Sequence, residues 1–414
     1  MTRYRFDTTN LHSDRAGQPE HGVLHKPIHT SVAYGYDDAR DLAAVFQGRQ
    51  SGYNYGRQMN PTVSALQQRI TLMEQGRETL AFATGMAAIG STLFALLNAG
   101  DHIVSTTYLF GNTNSLLSSF QRLGIEVSFV DPTDVANVEN ALRDDTRMVF
   151  VETIANPVTQ VADLEGIGRL CRDRDLVYIV DNTMTTPCLF HPVTVEASLI
   201  VNSLTKYIGG HGNALGGAIT DTGLFDWSRY PNILSTYRKG DPVKWGLTQI
   251  RKKGLRDFGA SLGPEAAHHL AVGSETLSLR MERACRNAGQ LASWLNDHPL
   301  IEQVSYPGLR GHPQHQRAAS LFARPGAIMS ITPHPSVDCF DLLNALRCVV
   351  SSSNLGDTRT LGIPVAHTIF HEMGGERRRS MGISDNMIRL SVGVENTEDL
   401  LEDFEQALEA LRTV

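Results

Sequence analysis

The part of the chain that decides the fold is a short apolar run followed by a glycine-rich loop. The run is Leu199–Val201, and the loop Asn202–Gly217 reads NSLTKYIGGHGNALGG. Lys206 therefore follows a predicted buried strand, at the carboxyl end where ligands bind in open α/β sheets. The hydroxyl groups of Ser203 and Thr205 suit a phosphate, and the glycines allow a close backbone approach. Taken alone, the pattern also fits a surface lysine in a flexible loop.

On the amino-terminal side of this loop, Val- and Ile-rich runs alternate with amphipathic stretches. The runs predict strands at His102–Ser105, Glu126–Val130, Met148–Val151 and Val177–Val180. The amphipathic stretches predict helices near Thr113–Leu123, Asp134–Leu142 and Leu164–Arg172. Such alternation is typical of a mainly parallel sheet covered on both faces, so we predict an α/β large domain over residues 61–256.

The regions on either side of this domain have different patterns. Residues 1–60 show little periodicity and predict an arm that contacts a neighbouring subunit. The segment Gly263–Leu295 has apolar residues spaced by three and four, which predicts a long helix. Further predicted elements are strands near Val304–Tyr306 and Ala327–Thr332 and helices at Phe340–Leu346 and Asn396–Leu411. These elements predict a smaller carboxyl-terminal α+β domain over residues 257–414.

Composition excludes several classes of protein. A chain of 414 residues with 41% hydrophobic and 20% charged residues is too apolar for a disordered protein and has no fibrous bias. The net charge of −7 provides no global positive field for a nucleic acid. Neither a signal peptide nor an apolar stretch long enough for a membrane helix is present, so we expect a cytoplasmic protein without a membrane partner.

Cysteines and histidines do not form the patterns of a disulfide framework or a metal site. The 5 cysteines are widely spaced and include no C-x-x-C pair, which favours reduced thiols. The pairs His268-His269 and His312/His315 lack accompanying carboxylates or cysteines, so we predict no metal.

Two further features favour pyridoxal phosphate (PLP) as a cofactor. Asp181 ends the predicted strand at Val177–Val180, which places an acid and Lys206 at neighbouring strand ends. In PLP enzymes a lysine forms a Schiff base, and an acid keeps the pyridine nitrogen protonated so that the ring is an electron sink. The segment Thr84–Met86 opens a helix of small residues, and a helix N-terminus is a ready phosphate site.

Motifs along nearly the whole chain resemble one family of enzymes. They are Tyr55-Gly56-Arg57, Asn60-Pro61-Thr62, Gly85-Met86-Ala87-Ala88, Asn156-Pro157, Asp181-Asn182-Thr183, Ser203-Leu204-Thr205-Lys206 and Ile388–Glu395. The chain is similar to the Cys/Met-metabolism family of PLP enzymes, which includes cystathionine γ-synthase, cystathionine lyases, methionine γ-lyase and O-acetylhomoserine sulfhydrylase. The resemblance implies an aspartate-aminotransferase-like subunit of fold type I, assembled as a homotetramer of two catalytic dimers.

The resemblance also implies roles for individual residues. Lys206 is the Schiff-base lysine and moves protons on the substrate, and Asp181 pairs with the pyridinium nitrogen. Arg389 binds the substrate α-carboxylate, which suits a planar fork that is always charged. The other implied cofactor-binding residues are Gly85, Met86, Asn156, Thr183, Ser203 and Thr205, with Tyr55 and Arg57 from the neighbouring subunit.

The sequence departs from the family at the residue that stacks on the cofactor ring. The usual Tyr-Gly-Gly-Thr motif is replaced by Phe110-Gly111-Asn112-Thr113, so Phe110 keeps the ring face but lacks the phenol that can donate a proton. Tyr108 is a candidate substitute for that hydroxyl, or a packing residue.

A second departure concerns the predicted substrate side of the site. Asn354 precedes Leu-Gly-Asp where lyases and synthases of the family usually have serine, and this resembles the sulfhydrylase branch. The branch's His-Pro-Ala-Ser-Thr-Thr-His motif is only partly kept, with Thr368 in register and Phe370 replacing the last histidine. Asn354 and Thr368 are therefore candidate substrate-binding residues.

The predicted reaction is the replacement or elimination of a γ-substituent on an L-amino acid of the homoserine type. We expect an O-acyl-homoserine sulfhydrylase or an enzyme similar to cystathionine γ-synthase, with sulfide or cysteine as the nucleophile. The alternative is a γ-lyase that acts on methionine, cystathionine or a canavanine-like amino acid and releases 2-oxobutanoate or homoserine. A β-lyase, an aminotransferase or a catalytically silent binding protein would share the fold.

Overall fold

The computed structural model describes residues 4–15 and 20–412, and within them the larger sheet has seven strands. In chain order these are β1 (Glu78–Phe82), β2 (His102–Thr106), β3 (Glu126–Val130), β4 (Thr146–Glu152), β5 (Val177–Asp181), β6 (Leu199–Asn202) and β7 (Gly217–Asp221). Their order across the sheet is β1-β7-β6-β5-β4-β2-β3. The strand β7 is antiparallel to both neighbours and the other pairs are parallel, which confirms the mainly parallel sheet.

Helices cover both faces of this sheet. The described α-helices before residue 257 are α1 (Phe6–His12), α2 (Ala39–Phe46), α3 (Pro61–Met73), α4 (Gly85–Leu96), α5 (Gly111–Gln121), α6 (Val135–Asn140), α7 (Leu164–Asp173), α8 (Thr186–Leu189) and α9 (Trp245–Gln249), and α2 buries none of its residues. Successive residues of a central strand point to opposite faces, so Val149 and Val151 belong to one hydrophobic cluster whereas Met148 and Phe150 belong to the other. The two-sided burial explains why β4 is apolar without a polar alternation.

The second sheet forms a smaller α+β domain. Its strands are β8 (Ile301–Ser305), β9 (Ile328–Pro333), β10 (Val350–Ser351), β11 (Leu361–Pro364) and β12 (Ile388–Ser391), in the order β10-β11-β12-β9-β8. Its helices are α10 (Pro264–Ser274), α11 (Leu277–Asn296), α12 (His315–Leu321), α13 (Cys339–Ala345), α14 (Gly375–Ser380) and α15 (Thr397–Arg412). All of its strand pairs except β10–β11 are antiparallel. The two sheets lie on either side of the predicted border at residues 256/257, and the border itself stays a prediction.

The long helix predicted over Gly263–Leu295 is two helices, because side chains from elsewhere bind the backbone carbonyls where α10 ends. Asn10 Nδ2 donates to the carbonyl of Ser274 over 2.6 Å, and Arg69 donates to that of Ala271 over 2.6 Å. These partners lie far away in the sequence, so local periodicity did not reveal the break. The arm at residues 1–60 likewise contains the helices α1 and α2, which the sequence did not predict.

The described residues contain no disulfide, no cluster of metal ligands and no membrane-spanning helix. All five cysteines are free thiols. Within residues 4–15 and 20–412, no three His, Cys, Asp or Glu side chains come together as metal ligands. None of the helices described is both long and apolar enough to cross a lipid bilayer.

Candidate active site

A cavity of about 810 Å³ lies where the carboxyl ends of β4, β5 and β6 meet the N-terminus of α4 and the small domain. The fold thus brings together most of the residues that the sequence singled out. Those lining the cavity are Gly85, Met86, Phe110, Asn156, Asp181, Thr183, Ser203, Thr205, Lys206, Asn354 and Arg389. Four others, Tyr55, Arg57, Tyr108 and Thr368, are not among the described lining residues.

One end of the cavity is formed by the N-terminus of α4 and the loop after β6. Thr84 caps the helix, since its hydroxyl oxygen accepts from the backbone N–H of Ala87 over 3.0 Å. The backbone N–H groups of Gly85 and Met86, in the first helical turn, have no intrahelical acceptor, and both residues line the cavity. A Cβ atom at Gly85 would lie 3.0 Å from the Cβ of Ser203, so a larger residue there would push the helix and the loop apart by a few tenths of an ångström. This end suits an anion such as a phosphate.

Lys206 projects from the same loop and meets the small domain. Its Nζ donates to Oδ1 of Asn354 over 2.8 Å. Burial, together with the positive charge of Arg389, lowers the pKa of Lys206 to about 8. A larger fraction of this amine is therefore neutral near neutral pH than in an exposed lysine, which is what a group that accepts protons requires.

Arg389, on β12, forms the small-domain wall and is only 1% exposed. One terminal nitrogen donates to the carbonyls of Asn354 over 2.8 Å and Ser353 over 3.2 Å. Its Nε is buried without a hydrogen-bond partner in the structure. The guanidinium thus keeps donors for a ligand while part of its fork fixes the loop that carries Asn354, and burial lowers its pKa to about 10.

Two carboxyl groups lie side by side at the ends of β4 and β5. Asp181 is the register partner of Glu152 on the neighbouring parallel strand, and both line the cavity. Asp181 accepts from the backbone N–H of Thr183 over 2.9 Å, and burial raises its pKa to about 6. Burial and the nearby Asp181 raise the pKa of Glu152 to about 8. Glu152 was not predicted as a site residue, although it stands at the carboxyl end of a buried strand just as Asp181 does.

Of the two aromatic candidates, Phe110 lines the cavity, whereas Tyr108 is not among the described lining residues. Phe110 lines the cavity immediately before α5, and its backbone N–H donates to Oε1 of Glu152 over 3.1 Å. The hydroxyl of Tyr108 instead donates to Oδ2 of Asp131 over 3.2 Å. Tyr108 is thus bonded to Asp131 and is not among the described residues that line the cavity, and its role as a substitute hydroxyl stays a prediction.

In the small-domain motif around Thr368, the residue that lines the cavity is Ile369, the neighbour of the predicted Thr368. Thr368 is exposed, and its hydroxyl donates to the carbonyl of Pro364 over 2.7 Å, whereas Ile369 lines the cavity. A sequence register cannot reveal which of two adjacent side chains points inward. Together with Ile89, Met184 and Leu215, Ile369 adds apolar surface that the sequence analysis did not identify.

Tyr55 and Arg57 lie on the surface of the single subunit. Tyr55 is 41% exposed, and the Arg57 guanidinium lies 5.5 Å from the centre of its ring. One guanidinium nitrogen of Arg57 donates to the carbonyl of Arg256. Both side chains are accessible from outside the subunit, which is compatible with the predicted contribution to a neighbouring site.

The residues around the cavity fit PLP. The helix N-terminus and hydroxyls suit its phosphate, the Asp181 carboxyl suits a ring nitrogen, and Lys206 provides the amine. Buried polar atoms of lining residues also lack protein partners, namely Oδ1 of Asn156 and Oε2 of Glu152. Buried polar groups are normally satisfied, so their position is that expected at a polar ligand.

Comparison with known proteins agrees with this chemistry. The family model described as Cys/Met metabolism PLP-dependent enzyme matches residues 7–409. An L-methionine gamma-lyase of Fusobacterium nucleatum subsp. polymorphum is 37% identical over 414 residues, covering 99% of each chain. The O-acetyl-L-homoserine sulfhydrylase 1 of Thermus thermophilus is 37% identical over 423 residues, covering 98% of this chain and 100% of the relative.

A solved structure is also similar over nearly the full length. It is a putative O-acetylhomoserine (thiol)-lyase from Campylobacter jejuni, with a TM-score of 0.92 and 30% sequence identity, covering 98% of this chain and 100% of the other. That structure contains a pyridoxyl-lysine monophosphate. The protein described here therefore uses PLP and belongs to the family of Cys/Met metabolism PLP-dependent enzymes.

Proposed function

We propose that the chain catalyses γ-replacement on an O-acyl-homoserine, with sulfide or a thiol as the incoming nucleophile. The observation that carries this proposal is Phe110, because none of this subunit's described residues that line the cavity is a tyrosine. This subunit thus offers no phenol to protonate a departing group, and Tyr55 of the neighbouring subunit is proposed for the phosphate end. A carboxylate leaves as a stable anion without protonation, whereas a thiolate or an amine leaves more readily with a proton donor. The similarity to the Thermus thermophilus sulfhydrylase supports the same substrate class.

The alternative is γ-elimination from methionine, cystathionine or a canavanine-like amino acid. The relative from Fusobacterium nucleatum is a methionine gamma-lyase of equal identity. The apolar side chains of Ile89, Met184, Leu215 and Ile369 can pack against an S-alkyl group. Replacement and elimination share their early steps, so the nucleophile and the leaving group distinguish them.

When bound, PLP supplies an electron sink that stabilises negative charge on the substrate carbons. In the proposed arrangement, Asp181 holds the proton on the ring nitrogen. Gly85, Met86, Ser203 and Thr205 hold the phosphate, and Phe110 covers the ring face. These assignments rest on the positions of the side chains around one cavity.

Lys206 is the proposed proton carrier, and Arg389 is the proposed substrate clamp. The amine of Lys206 takes a proton from Cα, gives that proton up to the cofactor, and as a neutral amine again takes one from Cβ, which the lowered pKa near 8 favours. Asn354 orients the amine through its 2.8 Å hydrogen bond. Arg389 binds the α-carboxylate through the donors that its backbone contacts leave free, which fixes Cα relative to Lys206.

Assembly and location are proposed from the sequence pattern. The arm is proposed to place Tyr55 and Arg57 at the phosphate of a neighbouring subunit, so that a dimer is required for catalysis. Two such dimers form the proposed homotetramer, and the enzyme is proposed to act in the cytoplasm. The exposure of Tyr55 at 41% is compatible with an intersubunit role.

The test is product analysis with the PLP-loaded enzyme. We expect O-acetyl-L-homoserine and sulfide to give homocysteine as the main product, with little 2-oxobutanoate. Keto acid alone, or faster turnover of methionine or cystathionine, would instead assign a γ-lyase. Turnover restricted to canavanine-like substrates would overturn the proposed leaving group, and transfer of the amino group to a keto acid would assign an aminotransferase.

A further inference from the structure

A second carboxyl group, that of Glu152, lies in the cofactor cavity and has no role in the mechanism above. It is in register with Asp181 on the adjacent strand, and its side chain is 9% exposed. Its Oε1 accepts from the backbone N–H of Phe110 over 3.1 Å. Its Oε2 is buried without a hydrogen-bond partner in the structure. One oxygen therefore accepts from the proposed ring-stacking residue, while Oε2 keeps no partner at hydrogen-bond geometry. The backbone N–H of Asn156 also favours the ionised carboxyl and lowers its pKa, but burial and Asp181 outweigh it.

Two adjacent buried carboxylates repel each other, and each loses hydration. No salt bridge within residues 4–15 and 20–412 involves either Glu152 or Asp181. The pair therefore retains a proton more readily than two exposed acids would. Burial and the charge of Asp181 raise the pKa of Glu152, and burial raises the pKa of Asp181, so the pair retains a proton near neutral pH. Hydrogen bonds from the backbone and the side chain of Thr183 stabilise the Asp181 anion, whereas Oε2 of Glu152 has no partner, which places this proton on Glu152.

The position of that proton follows from the hydrogen bonds. Oε1 is already an acceptor for the Phe110 N–H, so the acid proton resides on Oε2. A protonated Oε2 is a donor, and the carboxyl lines the cavity that fits PLP. The same side chain thus offers one donor to the cavity and fixes the backbone of Phe110.

We propose that Glu152 is a positioning residue of the cofactor site, which acts as a neutral carboxylic acid, leaves Asp181 as the single anion of the pair, and anchors Phe110. The inference concerns cofactor binding and is independent of which γ-substituted amino acid is the substrate. A Glu152 carboxylate would place a second negative charge beside the cofactor and would remove the donor at Oε2. Cofactor binding is therefore weaker when this group ionises.

Other charged groups around the cavity also affect such a pH dependence. The titratable lining residues besides Glu152 are Asp181 on β5, Lys206 after β6 and Arg389 on β12. The lining residues of α4 and α5 and of the loop Ser353–Leu355 are neutral. These groups and the cofactor are present in both proteins, so the ratio of PLP dissociation constants for wild type and a Glu152 variant reports the ionisation of Glu152 together with its coupling to Asp181.

The test compares Glu152→Gln with wild type by titrating each apoenzyme with PLP at a series of pH values. Glutamine has the shape of the neutral acid, keeps an acceptor for the Phe110 N–H and adds an amide donor. We expect the two dissociation constants to agree within about threefold at pH 6.5. At pH 9 we expect wild type to bind PLP about three- to tenfold more weakly than the variant.

A matched control is Glu74→Gln, which also neutralises a fully buried carboxyl. Glu74 is bonded to Asn182 and Asn202 and does not line the cavity. Its PLP dissociation constant should stay in a constant ratio to that of wild type across the pH range. This control separates an effect at the cofactor from a general effect of removing a buried charge.

The visible circular dichroism of the bound cofactor provides a second measurement, because it reports the asymmetric environment of the ring. Glu152→Gln should keep the wild-type signal, and Glu152→Ala should reduce it because Phe110 loses its anchor. A pH-independent ratio for Glu152→Gln, or uniformly weaker binding at all pH values, would overturn the proposal. If Glu152→Ala does not fold, the glutamine titration alone decides.

Discussion

Lys206, on the large domain, and Asn354, on the small domain, are joined by a hydrogen bond of 2.8 Å between Nζ and Oδ1. Asn354 is itself held through its carbonyl, which accepts from Arg389 over 2.8 Å. The proposed proton carrier and the proposed carboxylate clamp are thus connected through one residue. This connection explains how binding of a substrate by the small domain can orient an amine supplied by the large domain.

The first prediction concerns Asn354. Replacement by alanine removes the acceptor for the Lys206 amine, and we expect kcat to fall about tenfold, the cost of one hydrogen bond to a charged or reactive group. Asn354→Ser, with a shorter side chain that still has an acceptor, should lie between wild type and alanine. The measurement is steady-state kinetics at equal PLP content. An alanine variant with wild-type kcat would refute the orienting role.

The second prediction concerns the missing phenol. Phe110→Tyr should raise kcat/KM for thioether substrates such as cystathionine by about tenfold or more, relative to O-acetylhomoserine, because it adds a proton donor at the cavity. Tyr108→Phe is the matched control, since it removes a hydroxyl that is bonded to Asp131. The control should leave the ratio of the two substrates unchanged. A similar shift in both variants would contradict the assignment of position 110.

The third prediction concerns the substrate carboxylate. Arg389→Lys keeps the charge but loses the planar fork, so we expect kcat/KM to fall about 100-fold, mainly through KM. The affinity for PLP should change much less. Comparing a substrate with its α-carboxamide provides the check, because wild type should discriminate strongly between them and the variant only weakly. Equal discrimination by both proteins would show that Arg389 does not bind the carboxylate.

The fourth prediction concerns the arm. Lys206→Ala and Arg57→Ala should each be inactive or nearly so alone. If Arg57 serves the neighbouring site, a dimer with one chain of each kind has one intact site. The unfolded variants are mixed in equal amounts and refolded, so that about half of the dimers contain one chain of each kind. Because each of these hybrid dimers has one intact site out of two, we expect about a quarter of wild-type activity. No recovery above the separate variants would place Arg57 outside the neighbouring site.

The fifth prediction concerns Glu74, a fully buried carboxyl that accepts from Asn182 and Asn202. Burial raises its pKa from 4.5 to about 7 in the folded protein, so the folded state binds this proton more tightly than the unfolded chain does. Its contribution to the free energy of unfolding is therefore fully present below pH 4.5 and decreases as the pH rises through 7.

Glu74→Gln should make the stability less dependent on pH. Between about pH 5 and pH 8, the free energy of unfolding of wild type should fall by up to about 3 kcal/mol more than that of the variant. The measurement is urea denaturation of both proteins at several pH values. Other buried acids such as Asp181 are the same in both, so parallel pH profiles would refute a titrating Glu74.

Much of the fold and of the site was predictable from local sequence. The strands around Val149 and Ile179 are continuous apolar runs because both of their faces are buried, and such runs are recognisable without a structure. Lys206 and Asp181 follow two of these runs, and Thr84 precedes a helix that its side chain caps. Strand ends and helix caps are local features, so the chemistry attached to them is readable from the chain.

Tertiary structure alone decided which neighbouring side chains meet. The register between β4 and β5 pairs Glu152 with Asp181, and the hydroxyl of Tyr108 binds Asp131. The same holds for Ile369, which takes the inward position beside Thr368. Sequence determined which groups stand at the ends of the elements. The pairing between strands and between domains decided which of these groups lie next to each other, because it depends on contacts between residues far apart in the chain.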